Sequence, residues 1–206
     1  DLLKRGSGCW RFSGEHLNHE GKTEVHAGNL TLDYAQGDQL TSSTNRITLN
    51  ESKLTLRGAP GGTTGEAIHT LTLSENNYQF NTLELDANGG DGVHLTLGTL
   101  AAANANLLLT HLFDLSSSPG NTLTANALSS LSIVYGMLMR GNRAVCLIKT
   151  ADGVSFATTN GVGQVVPCSN YTPYLGDAVT GSITNNYLFT SSISHPNSRS
   201  IWFSTI

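Results

Sequence analysis

Short alternations of leucine and threonine, each entered through a glycine, asparagine or serine turn, recur along the first half of the chain. They occupy residues 25–32, 47–58, 71–73, 82–85 and 93–98. Strict alternation of apolar and polar residues is strand patterning, because successive side chains of a strand point to opposite faces. Strands this short bury little surface singly, whereas stacked repeats bury one continuous core. The pattern therefore predicts an all-β solenoid.

The composition fits an all-β chain and excludes some classes of partner. Of the 206 residues, 22 are glycine and only 13% are charged, and Asn, Ser and Thr are frequent; such a mixture disfavours helices. The formal net charge of −4 argues against nucleic acid or an anionic membrane as the main partner. No apolar run reaches the roughly 20 residues of a membrane-spanning helix. We expect no nucleic-acid partner and no membrane span.

The spacing of the repeated phrase predicts the number of residues in one coil. The phrase at residues 30–32 recurs at 54–56, an interval within the roughly 20–29 residues of one solenoid coil. We therefore expect these phrases to stack in adjacent coils. Two alternatives stay open: short helices near 99–105 or 125–131, where good helix formers occur, and a jelly-roll or sandwich if strands pair antiparallel throughout.

Turn signals divide the chain into sections. Asp152-Gly153 and Asn160-Gly161 separate apolar runs, and such dipeptides are a strong hairpin signal. This part is therefore predicted to be a small antiparallel meander. The predicted sections are an extended leader (1–8), β-helix coils (9–143), the antiparallel meander (144–168) and terminal strands that close the solenoid (169–206).

Two runs of the sequence, 10–14 and 22–34, resemble the bacterial autotransporter-associated β-strand repeat. The first reads Trp-Arg-Phe-Ser-Gly, and the second contains an Ala-Gly-Asn-Leu-Thr-Leu phrase. The strand pair at 151–166 is also similar to passengers that carry this repeat. The resemblance implies a right-handed parallel β-helix on an exported protein, located outside the cell or on the bacterial surface. It brings no catalytic residues with it.

One glycine-rich turn holds a candidate metal site. Asp86, Asn88 and Asp91 place two carboxylates and an amide together in sequence, as oxygen-ligand calcium loops do. The alternative is a plain coil-connecting turn, because short motifs match many turns. No cofactor is expected apart from this calcium ion. His94 and His111 alternate with leucine in strand phrases and are expected to face solvent.

The three cysteines leave two interpretations open. Cys146 and Cys168 flank the predicted meander, so a Cys146–Cys168 disulfide is one of them, with Cys9 left over. The other is that all three are small buried side chains.

An enzymatic function is disfavoured by the placement of the acids. Parallel β-helices also host polysaccharide-cleaving enzymes, and glycoside hydrolysis needs two carboxyl groups about 5–10 Å apart. Glu51, Glu84 and Asp86 are the nearest candidates. Glu84 alternates with leucines and is expected to point to water. We therefore expect a protein that is not an enzyme, with a carbohydrate-binding or carbohydrate-active β-helix as the alternative.

Aromatic residues concentrate near the two ends of the chain. They are Trp10, Phe12, Tyr187, Phe189, Trp202 and Phe203. Aromatic anchors dominate interfaces, and the strand edges of a solenoid end template further pairing, so these residues form a candidate assembly interface. The alternative is that they close the core, as capping coils do.

These observations lead to a hypothesis about function. The chain is expected to be a non-enzymatic extracellular structural protein: a surface scaffold, an adhesin or a self-assembling fibre subunit. The expected partners are further copies of the chain, joined end to end or by strand addition, or a surface glycan or host matrix.

Overall fold

The described part of the chain is all-β. The computed structural model describes residues 1–14, 21–36, 44–74, 80–103, 111–134, 137–140, 144–169, 172–173 and 187–188. These ranges contain no helix, and hence none that is long and apolar enough to cross a membrane. The short helices considered above are not formed in the described residues, since strands run to Ala102 and cover Leu128–Ser129 instead.

Two stacks of parallel strands form the body of the molecule. In the first sheet the stacking order is β1 (Leu2–Arg5), β3 (Lys22–His26), β5 (Arg46–Asn50), β7 (Thr63–Ser74), β9 (Gly92–Ala102) and β11 (Thr122–Ala125), with β12 (Leu128–Ser129) also on β9. In the second sheet it is β2 (Cys9–Ser13), β4 (Asn29–Asp33), β6 (Lys53–Arg57), β8 (Thr82–Asp86), β10 (His111–Asp114) and β15 (Ala144–Thr150). The chain alternates between the sheets and pairs in parallel with the coil before it, which confirms the predicted β-solenoid and rules out the antiparallel sandwich.

The core lies between the two sheets and follows the repeated phrase. Residues 30–32 pair one for one with 54–56, and the leucines of 54–56 pair with those of 83–85. All six leucines are buried. The alternation therefore places leucine inward in each coil, and the predicted stacking of 30–32 on 54–56 is confirmed.

An antiparallel section follows the coils. It consists of β13 (Leu131–Val134), β14 (Met137–Arg140), β15, β16 (Gly153–Thr159) and β17 (Val165–Pro167). The antiparallel pairing predicted over 144–168 is confirmed, but it begins earlier, with the hairpin of β13 and β14. That hairpin lies inside the section predicted to be coils, because the Asp-Gly and Asn-Gly signals that marked the meander have no counterpart there.

The two ends of the stack differ. At one, here called the upper end, the antiparallel section reaches back over β11: the N–H of Ala125 donates to the carbonyl of Gly163 at 2.9 Å, and Thr124 bridges Gln164. At the other, here called the lower end, β1 and β2 are the terminal strands of their sheets, and no strand among the described residues pairs with their outer edges.

The predicted terminal sections are placed only in part. Residues 1–8, expected as an extended leader, supply β1, which pairs in parallel with β3. Within 169–206 the structure describes β18 (Thr172–Pro173) and β19 (Tyr187–Leu188), which pair in parallel. The closure of the solenoid by this last section stays a prediction.

Candidate functional site

A network of charged side chains covers the outer face of the second sheet. Asp33, at the end of β4, forms ion pairs with Arg11 from the coil below and with Arg57 from the coil above, whose Nη1 lies 3.1 Å from Oδ2. The side chain of Asp33 is completely buried, although it lies on the outer face. The two long arginine side chains reach it from neighbouring strands, so a small acid is enclosed by its own partners.

Asp33 is held in its ionised form. Burial raises the pKa of this carboxyl, but the N–H of Ala35 and the guanidinium groups of Arg57 and Arg11 outweigh burial and keep the pKa below its ordinary value. The N–H of Ala35 lies 2.9 Å from Oδ1. A buried carboxylate with these partners is a structural anion that ties three coils together.

Arg57 continues the network into the turn that was predicted to bind calcium. Its Nε lies 3.5 Å from Oδ2 of Asp86, and its guanidinium donates to Oδ1 of Asn88. Asn88 also donates its side-chain N–H to the carbonyl of Gly58 at 2.9 Å. The oxygens offered by Asp86 and Asn88 are therefore already bound to a protein cation.

The third candidate ligand, Asp91, has different contacts. The backbone carbonyl of Asp91 accepts from the hydroxyl of Ser118 at 2.6 Å, and its side chain is exposed. Among the described residues, no three or more His, Cys, Asp or Glu gather where they could hold a metal ion. The calcium loop at this turn stays a prediction.

The other outer-face acids also have cationic partners. Glu84 lies 2.9 Å from Nζ of Lys53 and accepts the hydroxyl of Thr55 at 2.8 Å. Asp114 lies 3.0 Å from Nζ of Lys149. Glu84 lies on the outer face, as the sequence predicted. Paired acids of this kind neutralise the surface and link neighbouring strands.

The lower end carries two aromatic residues of the candidate interface, Trp10 and Phe12. Trp10 and Phe12 lie on the same face of β2, as predicted, and pair with Leu30 and Leu32 of the next coil. Phe12 packs against the core, whereas Trp10 is 41% exposed. Tyr187 lies in β19, and Phe189, Trp202 and Phe203 lie outside the described residues.

A buried lysine completes the lowest layer of the core. Lys4 pairs with Val25 in register and has no exposed surface. Its ammonium donates to the carbonyls of Gly6 at 2.7 Å and Ala27 at 2.9 Å and lies 6.0 Å from the ring centroid of Trp10. The aliphatic stem therefore packs as a core residue, while the charge is satisfied at the corner of the coil.

A second buried polar contact joins two coils. The hydroxyl of Tyr34 donates to Oε2 of Glu66, and both residues are almost completely buried. Burial, and then the neighbouring carboxylate of Glu66, raise the pKa of Tyr34 above its ordinary value. The phenol therefore stays protonated and acts as the donor. Sequence reasoning missed this pair, because no motif links residues so far apart in the chain.

Two of the three cysteines agree with the interpretation that they are small buried side chains. Cys146 and Cys168 are buried, and no disulfide joins them in the part of the chain that the structure describes. Cys9 is exposed, so the expectation of three buried cysteines is wrong for it.

The two strand histidines behave differently. His94 is exposed, as predicted, but His111 is completely buried, which corrects the expectation that it faces solvent. His111 pairs with the buried Cys146 and shares the inner face with Phe113. The apolar run around β10 lacks strict alternation, so the sequence did not show which residues face inward.

The lowered pKa of Asp33 predicts a loss of stability in acid. A carboxyl whose pKa is lower in the folded than in the unfolded state stabilises the fold above the unfolded value, about 3.9 for Asp. This contribution is lost as the pH falls through the folded pKa. Asp114 acts in the same direction, because its pKa is also below the ordinary value. Burial alone would raise the pKa of Asp114, but hydrogen bonds from Ser116 and Lys149 outweigh burial. We expect the free energy of unfolding in urea to fall as the pH is lowered below about 4.

Two variants check this assignment. Asp33→Asn is expected to flatten the acid dependence relative to the wild type, whereas Asp91→Asn, at an exposed carboxylate, is expected to keep it. An unchanged acid slope in Asp33→Asn would show that other groups carry the effect.

Comparisons with known proteins add no assignment to this site. No protein-family model, no curated protein and no solved structure matches the chain.

Proposed function

We propose that the chain is a non-enzymatic extracellular structural protein: a surface scaffold or adhesin, or the subunit of a self-assembling fibre. In this proposal the coils form a rigid body, and an open strand edge joins the chain to another polypeptide. The resemblance to autotransporter-associated repeats supports an exported location.

The observation that carries the proposal is that the described sheets end in open strand edges. Both terminal strands of the lower end have an open outer edge among the described residues, next to the exposed Trp10 and Leu3. Open strand edges pair readily with further strands. At the upper end the antiparallel section covers β11. The other terminal strand of the second sheet, β13, also has an open outer edge among the described residues and carries the exposed Ile133. Both ends therefore offer a surface for joining.

The pairing of acids with cations also supports a structural role. Glu84 and Asp86, the acids considered for glycoside chemistry, contact Lys53 and Arg57. Such pairs neutralise the surface and link coils.

The exposed aromatic residues favour joining over a glycan platform. The exposed aromatic side chains among the described residues are Trp10 and Phe80. Phe80 precedes β8, which is separated from β2 by two strands of the second sheet. Stacked aromatic rings along one side would favour a carbohydrate ligand, and these two are too far apart to stack.

The proposal is tested by negative-stain electron microscopy of the full chain over a concentration series, with sedimentation as a check. We expect elongated particles of uniform width. Fibres longer than one chain would identify a fibre subunit, and single rods at every concentration would identify a scaffold or adhesin. Cleavage of any member of a polysaccharide panel, or irregular particles that the double variant Trp10→Ser/Phe12→Ser leaves unchanged, would contradict the proposal.

A further inference from the structure

The top strand of the first sheet has an edge without charged residues. Strand β11 reads Thr-Leu-Thr-Ala and pairs on its lower edge with β9. The strands that end the sheets at the lower end carry Lys4, Arg5 and Arg11 instead. Charges and prolines at a strand edge discourage pairing with another chain, and an edge that lacks them is protected when a loop covers it. The protection of β11 therefore depends on the part of the chain that lies over it.

That part is the turn between β16 and β17, here called the strap and defined as residues 160–164. The N–H of Ala125, at the end of β11, donates to the carbonyl of Gly163 at 2.9 Å. Thr124 forms an isolated antiparallel bridge with Gln164. The strap therefore occupies the edge at which a further strand would pair with β11.

Bonds to Asn160 hold the strap in its shape. Its Oδ1 accepts the N–H of Val162 at 3.1 Å and the N–H of Gln164 at 3.0 Å. Its backbone carbonyl accepts the N–H of Gly163 at 3.0 Å. The tip of the strap lies in solvent, since Val162 is 78% exposed. Segments with few buried apolar contacts open locally at low cost, so opening of the strap is expected to cost less than unfolding of the coils.

Glycine at position 163 allows the strap to lie this close to β11. Its φ is +77°, in the left-handed region, and a Cβ built there would lie 2.9 Å from the carbonyl oxygen of Ala125. A larger residue at this position would be strained and would push the strap away from the strand. Gly161, in the same turn, has open space at the corresponding position. The two glycines therefore provide a test and its matched control.

From these contacts we infer that the strap is an autoinhibitory contact. It withholds the edge of β11, and its release lets β11 pair antiparallel with β11 of a second copy of this chain. The bridge between Thr124 and Gln164 is itself antiparallel, so the edge already accepts a neighbour in that direction. A twofold axis makes such a joint self-complementary. This inference rests on the proposed function, because it names one joint of the same solenoid and the contact that regulates it.

The charges favour a second copy as the occupant of the released edge. Two antiparallel β11 strands would bring Thr122 and Thr124 of the two copies together and would place no like charges opposite one another. Cross-strand threonine pairs stabilise a sheet, whereas opposed like charges destabilise it. Two copies joined through β1 or through β2 would bring basic residues together. The edge of β11 is therefore better suited to pairing with its own copy.

The experiment compares Gly163→Val with Gly161→Val in the full chain. Sedimentation over a concentration series gives the oligomeric state, and amide hydrogen exchange reports on Ala125. At low concentration we expect Gly163→Val to exchange the Ala125 amide about tenfold faster than the wild type. At high concentration we expect this variant to form a dimer in which the same amide is protected again. Gly161→Val is expected to match the wild type in both measurements.

Three further variants locate the joint and keep the test valid if Gly163→Val unfolds. Adding Thr122→Glu to Gly163→Val is expected to abolish the dimer, because like charges would then face each other, and to leave the fast exchange of Ala125. Asn160→Ala removes the oxygen that accepts two bonds of the strap and is expected to act like Gly163→Val. Asn160→Asp keeps an acceptor oxygen and is expected to resemble the wild type. Circular dichroism confirms that each variant is folded.

Three results would overturn the inference: equal exchange of Ala125 in Gly163→Val and the wild type, a Gly163→Val chain that stays monomeric at every concentration, or a dimer that Thr122→Glu leaves intact. Failure of this inference is separable from failure of the proposed function. Uniform wild-type rods seen while Gly163→Val stays monomeric would remove only the strap and its joint. Cleavage of a polysaccharide by the wild type would remove the proposed function, whatever the strap does.

Discussion

Replacing Phe113 with alanine is expected to lower the free energy of unfolding by about 3–5 kcal/mol. Phe113 is completely buried in β10 and lies between Leu83 of the coil below and Ile148 of the strand above. The strands on both sides are fixed by parallel pairing, so the cavity left by the ring cannot collapse. The value is measured by urea unfolding of the purified chain, followed by circular dichroism.

Phe80→Ala is the matched control for that experiment. Phe80 is 60% exposed, so the same truncation is expected to change the stability by less than about 0.5 kcal/mol. Equal losses in the two variants would contradict the placement of Phe113 in the core between the sheets.

The second large effect is expected at Asp33. Removing one member of a buried ion pair costs about 3–5 kcal/mol, because the charge left behind has no partner. The side chains of Arg11 and Arg57 are 55% and 32% exposed, so water takes over part of the interaction. We therefore expect Asp33→Ala to lower the free energy of unfolding by about 2–3 kcal/mol.

Three further variants separate the effect of the charge network from the loss of one side chain. Asp91→Ala, at an exposed carboxylate, is expected to stay within about 0.5 kcal/mol of the wild type. Arg11→Ala alone is expected to cost about 1 kcal/mol or less, since one partner of Asp33 remains. The double variant Asp33→Ala/Arg11→Ala is then expected to be less destabilised than the sum of the single variants. Strict additivity would show that Arg11 and Asp33 do not interact.

The alternation of leucine and threonine was sufficient to predict the solenoid. In a stack of parallel strands the neighbour of a residue is its equivalent in the next coil, so a repeated phrase such as 30–32 and 54–56 specifies both the inward face and the register. Turn dipeptides likewise specified the meander over 144–168. The hairpin of β13 and β14 was missed because it lacks those dipeptides.

The contacts of the site could not be predicted, because they depend on register between distant coils. Nothing in the sequence shows that Arg57 reaches both Asp33 and Asp86. For that reason the turn that contains Asp86 is similar, in sequence alone, to a calcium loop. The burial of Lys4 is also hidden, since lysine is normally exposed and the first strand has no alternation. The carbonyls of Gly6 and Ala27, which accept hydrogen bonds from its ammonium, make this burial possible.

The most direct test of the account is amide hydrogen exchange of the full chain, resolved by strand. We predict that β4, β6 and β8, which have a bonded strand on both edges, exchange more slowly than β2 and β13, which end the described sheet. Equal protection of the terminal and the interior strands, or fast exchange in β4, β6 and β8, would contradict the stacked-coil account.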